Sequence, residues 1–400
     1  MAIDLISLNN PDSDLTVDLE NTTDYSGSYR GIIANLDTQQ VLKPVYDITE
    51  QPRILPLGDS ITAGNYPIEP TPGGYRIQLG NNFNDDDLSI DFIGSKANET
   101  SDLADPEHEG HPGWTINQLT ALIEKGLLTE YQPDVVLLMA GTNDILKSDQ
   151  TSEVIADLNQ LIDRLQAELP DTEIFVSSLV PLDPELESEQ EAKTVEEVNA
   201  LLPELAQQQG EQVTYVNAGG SIDLSDLIDD GIHPDATGYQ AIGNAWYDTL
   251  VKHDTLTGID HITGSEFSDR LTGNDQANIL FGTSGADVLT GGEGADRFLY
   301  ENLDSQTDTI TDLSIDDRLV FSSAGFNASF GTETDFTAIE PTFVSSTDSQ
   351  SLGTGATFLY QSDTGLLSFD PDGNGSLAAS EIAVLSNMPT LSQEQISIIA

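Results

Sequence analysis

Ile54-Leu55-Pro56-Leu57-Gly58-Asp59-Ser60-Ile61-Thr62 passes from a short apolar run straight into a small polar turn. Similar runs follow at Ile90–Ile93, Val135–Met139, Ile174–Ser177 and Val213–Val216. Between them lie amphipathic stretches, clearest where Val154, Ile155, Leu158, Leu161, Ile162, Leu165 and Leu169 recur at helical spacing. Alternating strands and helices predict an α/β domain over residues 51–253, a parallel sheet covered on both faces with its site at the carboxyl ends of the strands. Ser60 follows the first strand directly, at that edge and near a helix N-terminus, a position that suits a nucleophile.

Three other segments end at the same edge. Asp230-Gly231-Ile232-His233-Pro234 places an acid and a histidine three apart on one loop, so the carboxylate can fix the imidazole tautomer while the other ring nitrogen faces a serine. The run Val135–Met139 leads into Ala140-Gly141-Thr142-Asn143-Asp144, which supplies an amide donor. Glu109-Gly110-His111-Pro112-Gly113-Trp114 offers the backbone N–H of Gly113. With the N–H of Ser60 and the side chain of Asn143, that makes three donors for an oxyanion. Taken singly, Gly58-Asp59-Ser60 also reads as a helix N-cap and the Asp230–His233 pair as a capped turn. Asp59, Arg76, His111 and Trp114 are candidates to line a substrate pocket, against plain packing or surface pairing. Asp59 and Asp144 are expected to stabilise their loops, because Asp230 has the better geometry for the acid.

The four segments, with Ser60, Gly113, Asn143 and His233 in that order, resemble the blocks of the SGNH (or GDSL) hydrolase superfamily. That resemblance covers roughly residues 51–253 and implies a three-layer, flavodoxin-like domain with five parallel strands. The Gly-x-Ser-x-Gly elbow of the ordinary α/β-hydrolases is absent. A narrower similarity lies in Gly73-Gly74-Tyr75-Arg76, Asp105-Pro106-Glu107-His108-Glu109-Gly110-His111-Pro112-Gly113-Trp114 and Gly141-Thr142-Asn143-Asp144. These look like the acetyl xylan esterases of carbohydrate esterase family three, and so imply removal of acetyl groups from xylan or a similar polysaccharide. The same scaffold serves lipases, thioesterases and deacetylases.

Beyond residue 254 lysine disappears, and Gly, Asp, Ser and Thr dominate. A nine-residue repeat emerges, with glycine at 264, 273, 282 and 291. Its sixth position holds Asp269, Asn278, Asp287 and Asp296, and its eighth Leu271, Leu280, Leu289 and Phe298. Each unit reads as a tight turn and a short strand with its apolar residue inward, and stacked turns bring carboxylates and carbonyls around calcium. Gly291-Gly292-Glu293-Gly294-Ala295-Asp296 fits the RTX pattern in full. The unit from Gly282 through Gly285 to Asp287 nearly fits, and the first two units lack the later glycines. Residues 254–299 are thus expected to form a calcium-binding parallel β-roll. Residues 300–400 read as strands and turns and look like a serralysin-type domain of type I secretion substrates, notably at Asp308-Thr309-Ile310-Thr311-Asp312-Leu313. Asp370-Pro371-Asp372-Gly373-Asn374-Gly375 with Glu381 has EF-hand loop spacing, but it sits in a strand–turn–strand context.

Composition bounds the rest. The chain has 400 residues, 69 acids against 13 bases, a formal net charge of −56 and no cysteine. Such a surface repels nucleic acid and anionic lipid and attracts multivalent cations, while disulfides and thiolate zinc sites are excluded. No apolar stretch is long enough to span a bilayer. The N-terminus lacks the basic and long apolar regions of a signal peptide, which the secretion-type tail would account for. Residues 1–50 read as an extension packed on the next domain or partly disordered. The expected partners are therefore an acetylated polysaccharide or other short-acyl ester, structural calcium ions and the type I secretion machinery, with no cofactor for the chemistry. Two rival readings remain at this stage: an enzyme of the same fold acting on lipid or aryl esters, and a calcium-dependent extracellular surface protein with an inactive hydrolase domain.

Overall fold

The computed structural model describes residues 22–25, 28, 30–46, 51–65, 73–98, 103, 105–126, 128, 131–148, 150–256, 259–303, 306–326, 342–347, 355–373 and 377–399. The chain divides into two compact units, Glu50–Leu250 and a discontinuous one made of Met1–Thr49 with Val251–Ala400.

In the first unit the predicted apolar runs become a sheet. Its main strands are β1 (Arg53–Gly58), β2 (Glu107–Gly110), β3 (Val135–Met139), β4 (Glu173–Ser177) and β5 (Val213–Val216), in the spatial order β5-β4-β3-β1-β2. All four pairings are parallel. Every residue of β3 is buried, as a central strand covered on both faces requires. The predicted run Ile90–Ile93 contributes only Asp91–Phe92, which pairs with the start of β1, and β2 takes over along the end of β1. The position beside β1 is therefore shared by two short strands, and Lys96–Ala97 adds an antiparallel edge. The helices are α1 (Ser60–Ala63), α2 (Tyr75–Asp85), α3 (Ile116–Ile123), α4 (Thr142–Leu146), α5 (Thr151–Glu168), α6 (Glu189–Gln209) and α7 (Ala236–Leu250). The helical periodicity read at 154–165 is the buried face of α5, which carries Val154, Leu158, Leu161, Ile162 and Leu165. That face packs in one core with Leu55, Leu57, Val136 and Leu138 of β1 and β3. Burying such a side chain is worth about 1.5–3 kcal/mol, so this face holds the helix on the sheet. Gly58 makes the sharp exit from β1 possible: a Cβ there would stand 2.2 Å from the carbonyl oxygen of Met139.

The second unit shows why the repeat has nine residues. Successive units place strands alternately in two sheets: His261–Thr263, Ile279–Phe281 and Arg297–Asn302 in one, Arg270–Thr272, Val288–Thr290 and Asp308–Ile310 in the other. Two repeats make one turn of a parallel β-roll. Leu271, Leu280, Leu289 and Phe298, all at the eighth position, are wholly buried between the sheets. The sixth-position side chains form two ladders. Along one, Asp269 N donates to Asp287 Oδ1 at 2.8 Å and Asp287 N to Asp308 Oδ1 at 3.0 Å. Along the other, Asn278 N donates to Asp296 Oδ1 and Asp296 N to Asp317 Oδ1, both at 2.8 Å.

The described part of the N-terminal segment, from residue 22 to 46, expected as an extension packed on the next domain or partly disordered, instead contributes strands to the roll. Thr22–Asp24 pairs in parallel with His261–Thr263, and Ile33–Asn35 with Arg270–Thr272. Ile32 N donates to Asp269 Oδ1 at 2.6 Å, so Ile32 stands one rung before Asp269 in the ladder. Gln40–Pro44 runs antiparallel to Val251–Thr255, with Pro44 opposite Val251. The intervening unit is therefore inserted between two adjacent strands of the roll. Residues 1–21 lie outside the described residues, as do 374–376 of the EF-hand-like segment. Among the described residues no helix is long and apolar enough to cross a membrane.

Candidate active site

Ser60 opens α1, and Asp59 caps it by accepting the N–H of Ile61 at 3.0 Å. The hydroxyl of Ser60 lies 2.8 Å from His233 Nε2, and His233 Nδ1 lies 2.7 Å from Asp230 Oδ2. The other carboxylate oxygen of Asp230 accepts the backbone N–H groups of Ile232 and His233, each at 2.9 Å. The loop thus winds around its own acid, which explains why the two residues need be only three apart. Burial raises the Asp230 pKa, but those N–H groups and the imidazole together pull it below the usual carboxylate range. The acid is held ionised next to a ring nitrogen whose partner nitrogen faces a serine.

Two loops bring amide donors to the same edge. Asn143, in α4 after β3, donates from Nδ2 to Asp59 Oδ2 at 3.2 Å. Asp59 is 1% exposed, and burial pushes its pKa up to about 6 against the opposing effects of the Ile61 N–H, His233 and Asn143. Gly113 sits at φ +77° in the turn after β2, closed by Trp114 N donating to the His111 carbonyl at 3.1 Å. Its own carbonyl accepts Lys147 Nζ at 2.9 Å. Asp144 ties the two loops together, because its carboxylate accepts Ile116 N at 3.1 and 3.2 Å.

The four candidate pocket residues divide. Trp114 is partly exposed. Asp59 and His111 are buried, and Arg76 is wholly enclosed, its guanidinium donating to the carbonyls of Ala63, Pro106 and Glu107 and to Asn98 Oδ1. Arg76 therefore clamps the loops behind the site and presents no face to a ligand. Sequence reasoning passed over Glu109 and Lys147. Glu109 and His111 alternate as i and i+2, which on a strand puts both on one face, and that was the signal available.

In the roll, the donor set can be tested against calcium at Asp296. This side chain is 0% exposed, and its Oδ2 has no hydrogen-bond partner among the described residues. Burial and then the carboxylates of Asp317 and Asp312 push its pKa up to about 7. The turn beside it admits only glycine: a Cβ at Gly292 would stand 2.4 Å from Asn274 O, and one at Gly294 2.4 Å from Gln276 O. A buried carboxylate oxygen amid backbone carbonyls suits a hard cation. Among the described residues no three acid or histidine side chains converge, so carbonyls would complete the shell. The earlier turns differ. Asp269 Oδ2 already accepts Ser265 N at 2.6 Å, and Asn278 Oδ1 accepts Asn274 N at 2.7 Å.

Comparison with known proteins agrees with this division. A GDSL-like lipase/acylhydrolase family matches residues 57–241, and the RTX calcium-binding nonapeptide repeat matches 254–287 and 272–301. The chain is 27% identical over 223 residues, half its length, to a multidomain esterase of Ruminococcus flavefaciens, and spans 28% of that relative. A family 3 carbohydrate esterase of Clostridium thermocellum is 32% identical, with 50% of this chain and 94% of that one covered and a TM-score of 0.42. For a carbohydrate esterase family 3 protein from Talaromyces cellulolyticus the identity is 26%, the coverage 50% and 96%, and the TM-score 0.44. The chain thus carries a GDSL-like lipase/acylhydrolase domain inserted in a unit built on RTX calcium-binding nonapeptide repeats.

Proposed function

We propose that the protein is a secreted serine esterase that hydrolyses acetyl or other short acyl esters, with O-acetylated xylan or a similar polysaccharide as its substrate class. The observation that carries this reading is the chain of short contacts from Ser60 Oγ through His233 to Asp230. Ser60 Oγ attacks the acyl carbonyl while His233 Nε2 takes its proton. The carbonyl oxygen becomes an oxyanion held by the N–H groups of Ser60 and Gly113 and by the Nδ2–H of Asn143 that does not face Asp59. As the bond from the acyl carbon to the sugar oxygen breaks, His233 gives the proton to that oxygen, the sugar leaves as an alcohol, and the acyl group stays on Ser60. Water, deprotonated by His233, then attacks the acyl carbon, the bond to Ser60 Oγ breaks, His233 returns the proton to Oγ, and the carboxylate product leaves. Asp230 holds the imidazole in the required tautomer throughout.

Calcium in the roll is structural on this reading, and Asp287 and Asp296 with the glycine turns at 282–285 and 291–294 are the residues to hold it. The acid-rich roll repels itself until cations neutralise it, which suits export as an unfolded chain through a type I machinery and folding in millimolar external calcium. The acetyl preference rests on the motif flanks at 73–76 and 105–114. It is tested by measuring acetate release from acetylated xylan beside hydrolysis of aryl esters of increasing chain length, in calcium. Release from xylan with a steep fall beyond acetyl supports the reading. Better turnover of long-chain esters would move the substrate to lipid.

A further inference from the structure

The reading above leaves one fully buried acid of the esterase domain without a role. Glu109, on β2, is 0% exposed, yet its carboxylate is filled with donors. Ser95 donates its N–H to Oε2 at 2.6 Å and its hydroxyl to Oε1 at 2.9 Å, and His111 Nε2 lies 2.6 Å from Oε1. The imidazole so held lies flat on Trp114, with ring centroids 3.9 Å apart and planes 17° from parallel. The main chain fixes the same segment as well, because His111 N donates to the carbonyl of Gly58, two residues before Ser60, at 2.9 Å.

Gly113 lies with Pro112 between His111 and Trp114, its carbonyl held by Lys147 Nζ at 2.9 Å. It is exposed, at positive φ, and nothing lies within 4 Å of the place a Cβ would take. Its N–H belongs to the Pro112–Gly113 peptide inside a turn whose ends are His111 and Trp114, closed by Trp114 N on the His111 carbonyl, and those two ends are held by the stack and by Glu109. An oxyanion donor acts through preorganisation, so a turn free to rock loses transition-state stabilisation more than it loses ground-state binding.

We propose that Glu109 is a positioning residue: through His111 and the His111–Trp114 stack, it holds the 111–114 turn so that the Gly113 N–H points at the oxyanion. This rests on the esterase reading and extends it to a carboxylate that touches no substrate. A purely structural Glu109 would contribute to folding alone. A positioning Glu109 makes kcat depend on the His111–Trp114 stack while KM does not.

The test uses the full chain in calcium and a small aryl acetate, with wild type and Ser60→Ala measured alongside. Glu109→Gln keeps the side-chain size but weakens the grip on His111, and should lower kcat by about tenfold to a hundredfold with KM within about twofold. His111→Gln keeps a donor for Glu109 but removes the stack, and should lower kcat alike even if Glu109→Gln does not fold. Both should change the near-ultraviolet circular dichroism of tryptophan. Ser95→Ala removes a bond to the same carboxylate without touching His111, and should lower thermal stability with kcat intact. Full kcat in folded Glu109→Gln or His111→Gln, with wild type active and Ser60→Ala dead, overturns the positioning role and leaves the esterase standing. A kcat loss in Ser95→Ala equal to that in Glu109→Gln overturns it too, since stability alone would then explain both. An inactive wild type takes down the esterase reading and this one with it.

Discussion

Asn143 Nδ2 donates to Asp59 Oδ2 at 3.2 Å, so the residue before Ser60 holds the side-chain amide of Asn143. The same carboxylate caps α1 through Ile61 N. One buried acid thereby fixes the serine and the amide in a common frame. Asp59→Ala should lower kcat by about 10²-fold, the scale of losing one oxyanion donor, and cost about 1 kcal/mol of stability through the lost cap. Steady-state kinetics with urea unfolding checks both. Unchanged kcat would detach Asn143 from the oxyanion.

Burial raises the Asp59 pKa to about 6, which makes stability depend on pH in a stated direction. Between pH 3.8 and about 6 the folded chain keeps a proton that the unfolded chain has released, so this group's contribution to stability falls as pH rises through that window. Above it the contribution is flat. Asp59→Asn should remove that fall, and urea midpoints of both proteins between pH 4 and 7 would show it as converging or parallel curves.

Asp230 accepts two backbone N–H groups besides the imidazole, so its loop should survive loss of the charge. Asp230→Asn is expected to leave the fold and KM close to wild type and to lower kcat by about 10³–10⁴, because the amide favours the wrong tautomer of His233. Circular dichroism and kcat together check this.

The two kinds of repeat turn should respond differently to calcium. Asp296 Oδ2 lacks a protein donor among the described residues, whereas Asp269 Oδ2 accepts Ser265 N. Asp296→Asn should raise the calcium concentration at half-folding of the roll by about tenfold or more, and Asp269→Asn should shift it far less. Tyrosine near-ultraviolet circular dichroism against free calcium measures it, independently of any enzymatic activity.

Ile32 fills the rung before Asp269 with an apolar side chain that is 0% exposed. Ile32→Ala should destabilise the roll by about 2–5 kcal/mol and raise its calcium requirement, although residue 32 lies more than 200 positions before the repeats. A calcium titration identical to wild type would mean that the N-terminal strands do not cap the roll.

What could be read in the sequence, and what could not, follows from the range of each interaction. The helix α5 and the strands β1, β3, β4 and β5 carry their own periodicity, so they were legible. So was the Asp230–His233 pair, because its bonds close within four residues. The nine-residue period showed the repeat and its inward positions. The shortening of Ile90–Ile93 to Asp91–Phe92 depends on competition with β2 for the edge of β1, which no local pattern reports. Arg76 could be read either as a pocket residue or as packing, because its four oxygen partners at Ala63, Asn98, Pro106 and Glu107 lie on other segments of the chain. The capping strands at 22–24 and 33–35 carry no repeat motif; their place is set by pairing with 261–263 and 270–272.

The central claim is that Ser60 is the nucleophile and His233 its base. Treating the calcium-loaded protein with a serine-reactive phosphonate and mapping the adduct by peptide mass spectrometry tests it most directly. The account predicts a single adduct on Ser60, formed in step with loss of esterase activity and abolished in His233→Ala. An adduct on another residue, or full hydrolysis by Ser60→Ala, would contradict it.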